Sequence, residues 1–280
     1  MGGIMNGHAL WIGAADEELD LARTWIRPTL ERWRSPLRVH PDPLDAVLSA
    51  ASSPVTPTLA ILATDGPARW TLDDTVALSG AWPLMPIVSV ATSLVDGRRR
   101  SGPPLAGIDE VPWYELPGRL ETWLHAWETG RPGTLTPPST VRRDERLLGV
   151  AGEPPGGIRV AIVAPTELDA EGLAAIVPVA GGTVTSASRG RPALEESADV
   201  LLWDVGRSAA HAIGWLGILA ANRPGLRIVV IESFPRADSA RAAVDAGAAA
   251  VLGKPLSIEA IVGLFRRFMA APDGLGAAGG

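Results

Sequence analysis

Five short apolar runs in the second half of the chain, separated by stretches of helical character, constrain its fold more tightly than any other feature. Residues 159–163, 183–186, 199–204, 226–233 and 249–252 read as strands, because each is short, largely β-branched or apolar, and bounded by turn formers. Residues 167–177, 208–222 and 236–246 suit helices, and Gly247 stops the last of them as the residue that most easily takes a left-handed C-terminal conformation. Ser257 is placed to cap a final helix, whose Ile258, Ile261, Phe265 and Phe268 form one apolar stripe. Non-alternating apolar strands joined by helices imply a parallel sheet covered on both faces.

The first half keeps the same rhythm less cleanly. Residues 9–12, 59–62 and 85–90 read as strands one, three and four, and a long helix over 16–33 contains Pro28, where a kink is expected. Aligning the two C-terminal ends without gaps sets Trp113 opposite Lys254, Tyr114 opposite Pro255 and Leu120 opposite Ile261. A diverged tandem repeat is the expectation. Between the halves, residues 131–157 hold five prolines and five glycines, which leaves little room for regular structure. The expected organisation is a domain over 1–130, a linker over 131–157, a second domain over 158–271 and a flexible tail over 272–280.

Composition removes several classes of function. No apolar run reaches the 18 or more residues needed to span a bilayer, and the N-terminus lacks the pattern of an export signal. With no cysteine there are no disulfides, no thiol catalysis and no thiolate metal sites, which fits the cytoplasm. A net charge of −6 argues against nonspecific binding to nucleic acid. His8, His40, His125 and His211 are scattered, and the glycine pairs have no phosphate-loop spacing. Arg98, Arg99 and Arg100 read as a solvated loop.

Among 25 basic residues Lys254 is the single lysine. A compact ammonium on a flexible stem reaches an oxyanion that a planar guanidinium would crowd. It ends the stretch Ala246-Gly-Ala-Ala-Ala-Val-Leu-Gly-Lys-Pro255, with Asp204 closing one earlier strand and Ser233 another. In these features the second half, over about 158–271, resembles the receiver domain of two-component response regulators. That resemblance implies a flavodoxin-like, doubly wound α/β fold with strand order 2-1-3-4-5, and, for the first half, a more diverged copy of it. It also implies a phosphoacceptor pocket of Asp204, Ser233 and Lys254 at the carboxyl ends of neighbouring strands.

The resemblance has gaps. The acidic pair that helps hold Mg²⁺ in the family is replaced by Ala164 and Pro165, and Val251 stands where the fifth strand carries a switch aromatic. In the first half strand one ends in Gly13-Ala-Ala and Trp113 replaces the lysine. The expectation is therefore a non-catalytic signalling or scaffold protein, a pair of pseudo-receivers acting through protein contacts or self-association, with no metal and no cofactor. The alternative is phosphoryl acceptance by Asp204 with Mg²⁺ held by Glu167 or Asp169; a small-molecule sensor using the strand-end crevice is a further alternative. Eight of the ten tryptophans lie in the first half, most of them expected in packing. Trp113, Tyr114, Trp123 and Trp127 form the candidate partner surface, given the weight of tryptophan at binding hot spots.

Overall fold

The structure, a computed structural model, describes residues 7–14, 16–50, 55–95, 105, 108–130, 155–195, 197–207 and 209–270. The chain divides into two compact units, Met1–Arg146 and Leu147–Gly280. The linker over 131–157 lies almost wholly outside the described residues, as do Arg98–Arg100 and the tail.

The first unit runs β1 (His8–Ile12), α1 (Glu17–Arg32), β2 (Leu37–His40), α2 (Pro43–Ala50), β3 (Pro57–Thr64), α3 (Leu72–Ala81), β4 (Ile87–Ala91), β5 (Asp109–Pro112) and α4 (Leu116–Glu128). Its sheet has the order β2-β1-β3-β4-β5, and every pairing is parallel. β1 and β4 are buried along their whole length, as expected of strands covered on both faces. Asp16 caps α1 through its side chain, which accepts from Leu19 N at 2.9 Å. The helix continues through Pro28 to Arg32.

The second unit runs β6 (Ile158–Ala164), α5 (Glu167–Val179), β7 (Gly182–Arg189), β8 (Val200–Gly206), a 3₁₀ turn (Ala209–His211), α6 (Ile213–Asn222), β9 (Arg227–Glu232), α7 (Ala237–Asp245), β10 (Ala250–Gly253) and α8 (Ile258–Ala270). The order β10-β9-β8-β6-β7 is that of the first sheet counted from the opposite edge, again all parallel. Two sheets of order 2-1-3-4-5 make the chain a tandem of flavodoxin-like, doubly wound folds. Ile162, Leu202, Val229, Ile231 and Leu252 from the strands pack with Leu173, Ile261 and Phe265 from α5 and α8 in one core.

The termini of the elements follow their chemistry. Gly247 has a φ of +106°, and a Cβ there would lie 2.4 Å from Ala220 Cβ, so the turn after α7 admits only glycine. Ser257 Oγ accepts from Ala260 N at 3.4 Å at the start of α8. β7 is longer than its weak apolar signal predicts: it is an edge strand of eight residues, largely exposed, and five of them carry polar side chains. In place of the single helix expected after β8, the described residues form a short 3₁₀ turn over Ala209–His211 followed by α6. Among the described residues no helix is long and apolar enough to cross a membrane.

Candidate functional site

In an open parallel sheet the carboxyl ends of the strands leave a crevice where loops converge. In the second unit Asp204 occupies this end of β8 and Lys254 immediately follows β10, joined to Pro255 by a cis peptide. The Asp204 side chain is fully buried, and its Oδ1 accepts from Gly206 N at 2.8 Å. Its Oδ2 is ion-paired with Lys254 Nζ. The ammonium also lies 3.1 Å from Asp169 Oδ1. Lys254 thus bridges two carboxylates, one from the centre of the sheet and one from the first turn of α5.

Asp169 is held in place by the cap of that helix. Thr166 Oγ1 accepts from Asp169 N at 3.1 Å and donates to Asp169 Oδ2 at 2.5 Å. The hydrogen bond from Thr166 and then that from Lys254 hold the Asp169 carboxyl below its ordinary pKa. Burial disfavours the Lys254 ammonium, but hydrogen bonds to Asp204 and Asp169 outweigh it and leave the pKa raised. Asp169 and Lys254 are therefore both charged near neutrality. Glu167, offered by the sequence as an equal to Asp169, is exposed at the start of α5.

Ser233 stands one residue beyond β9, half-buried, with its N–H donating to Gly206 O at 2.6 Å. The described contacts place it at the crevice through its main chain. Glu232 was missed by the sequence reading. Buried at the end of β9, it accepts through Oε1 from Ala209 N at 2.9 Å and from Ser239 Oγ at 2.6 Å. Its carbonyl accepts from Lys254 N at 3.0 Å. One acidic residue thus ties together the turn after β8, the start of α7 and the lysine. The available signal was a carboxylate closing an apolar strand, a position that burial makes costly unless it is paired.

The site offers little to a divalent cation. Mg²⁺ takes near-octahedral oxygen ligands, whereas Ala164 and Pro165 present no side-chain oxygen after β6 and the carboxylates of Asp169 and Asp204 already face an ammonium. Among the described residues no group of three or more His, Asp or Glu is placed to hold a metal. The residues do not fit the metal that a receiver would use.

The corresponding crevice of the first unit is filled by an indole. Trp70, in the loop after β3, is buried and donates from Nε1 to Ala63 O at 3.0 Å. Gly13, just past β1, has a φ of +112°, and a Cβ there would come within 2.8 Å of Trp70 Cζ2. Beside it Thr64 and Ser89 share a hydroxyl–hydroxyl hydrogen bond of 2.7 Å. Trp113 follows β5 as Lys254 follows β10, and is buried with its ring 5.6 Å from those of Trp25 and Tyr114.

This burial corrects the candidate partner surface. Trp113, Tyr114 and Trp123 are buried within the chain, and only Trp127 is half-exposed. Large rings placed at the end of β5 and on α4 supply packing area rather than an open face.

Neither a protein-family model nor a curated protein matches the chain. Its fold is similar to that of receiver domains. Among solved structures, a response regulator from Thermotoga maritima is 15% identical, with 41% of this chain and 98% of that one covered at a TM-score of 0.36. A Burkholderia pseudomallei response regulator with a phosphorylated aspartic acid is 20% identical, covering 41% and 74% at a TM-score of 0.32. The C-terminus of E. coli RcsC, with its linker region and phosphoreceiver domain, is 15% identical, covering 96% of each chain at 0.36. The strand order of each sheet carries the assignment of fold.

Proposed function

We propose that this chain is a non-catalytic signalling protein of the two-component type, a tandem of pseudo-receivers that acts through protein contacts. The observation that carries this reading is the Lys254 ammonium held between Asp169 and Asp204, with Ala164 and Pro165 where metal-binding carboxylates would stand. Phosphoryl transfer to a carboxylate brings negative charges together, and a divalent cation offsets them. Among the described contacts of Asp204 the cation supplied is the Lys254 ammonium, and it is already shared with Asp169. At the equivalent end the first unit presents a buried indole, Trp70, in the loop after β3. Fold alone does not dictate function, so the reading rests on the site.

A second reading has its own support: Asp204 closes the central strand with a lysine in direct contact, the pair a phosphoaspartate would need. One experiment separates the two. Incubation of the full chain with a small phosphodonor and Mg²⁺, followed by intact-mass measurement, is expected to leave the mass unchanged. A phosphoryl adduct that disappears in Asp204→Asn would establish the second reading instead.

A further inference from the structure

The first unit carries a second feature, independent of the strand-end crevice. Leu44 and Leu48 on α2 are 66% and 64% exposed, and Leu72 and Val76 on α3 are 62% and 58% exposed. Each pair is spaced i, i+4, so its two members sit one above the other on one side of the helix. The core-facing positions are different residues, Ala46 on α2 and Thr75 and Leu78 on α3. The two helices pack against each other. Both return from strands of one parallel sheet, so they run in the same direction. Two neighbouring helices thus each expose a pair of apolar side chains. Singly scattered apolar residues need no explanation, but a contiguous patch marks an interaction site.

The outer surface of α3 adds Ala77, Gly80 and Ala81, all exposed. A Cβ at Gly80 would meet nothing within 4 Å. The fold therefore does not need glycine there, although glycine weakens a helix relative to alanine. Its use at this position leaves the surface flat, and a second backbone can approach closely.

Charge selects the occupant. Neither helix contains a lysine or arginine, and Asp42, Asp45, Asp73 and Asp74 ring the N-terminal ends. Asp42, Asp45 and Asp74 have structural partners: Asp42 accepts from Asp45 N, Asp45 pairs with His40, and Asp74 completes a capping box with Thr71. Their field still extends over the patch within about a Debye length of ~8–10 Å. A second copy of this acidic chain would bring another rim of the same sign. A cationic partner is complementary in both apolarity and charge.

We propose that the α2–α3 face docks an amphipathic helix of another protein, one whose apolar stripe is flanked by lysine or arginine, as in helix-in-groove recognition. The test uses two synthetic helices with the same leucine stripe, one flanked by lysine and one by glutamate, titrated against the full chain by fluorescence anisotropy. The lysine probe is expected to bind, to weaken with added salt, and to lose about tenfold or more in affinity to Leu48→Asp or Val76→Asp. Both side chains are exposed, and unchanged circular dichroism and melting of the variants confirm that they fold. No binding of the lysine probe overturns the proposal, and so does equal binding of the glutamate probe. Self-association in sedimentation that Leu48→Asp abolishes overturns it in favour of a second copy.

Discussion

Lys254 Nζ lies 3.1 Å from Asp169 Oδ1, a contact between residues 85 positions apart. It fastens the first turn of α5 to the end of β10, while the same ammonium neutralises the buried Asp204. Three elements converge on one cation, so its removal affects the whole strand-end region.

Lys254→Met leaves Asp204 buried without its counterion. Loss of one partner of a fully buried pair costs about 3–5 kcal/mol, and the partial exposure of the lysine lowers the expectation here to about 1–3 kcal/mol, the range for an unsatisfied buried group. Asp169→Asn, at the exposed side of the bridge, is expected to cost about 0.2–1 kcal/mol. The double variant Lys254→Met, Asp204→Leu recovers most of the loss, since an apolar replacement of both partners removes the orphaned charge. Urea denaturation of the four proteins reads these differences.

The bridge also has a pH window. The pKa of Asp169 is lowered, so its contribution is present above the ordinary value of 3.8 and is lost as pH falls through the lowered one. That of Lys254 is raised, so its contribution is complete below 10.5 and is lost as pH rises through the raised one. Between these limits the bridge contributes a pH-independent increment. Denaturation at a series of pH values, compared with Lys254→Met, is expected to show a difference that is flat from about pH 5 to 9.

His8 works the other way. It is buried at the start of β1 with Nδ1 lacking a hydrogen-bond partner, and burial, then the charges of Arg38 and His40, depress its pKa below 6.5. The unfolded chain takes up the proton first, so this group reduces stability as pH falls below 6.5 and leaves it unaffected above. His8→Gln is expected to flatten the acid side of the stability profile between pH 7 and 5.

Gly13→Ala combines a φ of +112° with an overlap against the Trp70 ring. Backbone strain of this kind costs about 1–3 kcal/mol, and displacement of the indole adds to it. A lowered melting temperature together with a red shift of tryptophan emission is the expected signature. An unshifted spectrum would show that the ring had stayed in place.

Glu232→Ala deprives the Ala209 amide and the Ser239 hydroxyl of their acceptor. The expected cost is about 1–3 kcal/mol. Hydrogen exchange should accelerate at Ala209 more than in the sheet, whereas Glu232→Gln, which keeps an acceptor oxygen, should retain much of the protection.

Much of this architecture was legible in the chain itself. The apolar runs around Ile162, Leu202 and Val230 announced a parallel sheet, and Asp204 and Lys254 announced their meeting at its carboxyl end, because strand-end positions follow directly from strand boundaries. Ser233 and Glu232 show where that logic fails. The register between β8 and β9 shifts at a bulge between Asp204 and Gly206, and no local pattern reveals it, so the reading favoured the hydroxyl over the neighbouring acid that forms the contacts. Asp169 was visible as a helix-start carboxylate, but its partnership with Lys254 depends on the packing of α5 against the sheet. β2 escaped because Leu37-Arg-Val-His40 is short and polar at alternate positions. Trp113 and Trp123 stood both among tryptophans expected in packing and in the candidate partner surface, because tryptophan serves cores and interfaces alike and sequence alone does not separate the two.

The indole of Trp70 has a consequence for how the two halves can diverge. A crevice stoppered by a rigid ring, with glycine obligatory beneath it, cannot regain a polar ligand by a single replacement: shrinking the ring opens a dry void, and enlarging the glycine displaces the ring. In the second half an ammonium paired with Asp169 and Asp204 stands at the strand ends instead, and no such barrier applies. Mutation can therefore retune the lysine half in small steps, while in the tryptophan half the ring and the glycine must change together.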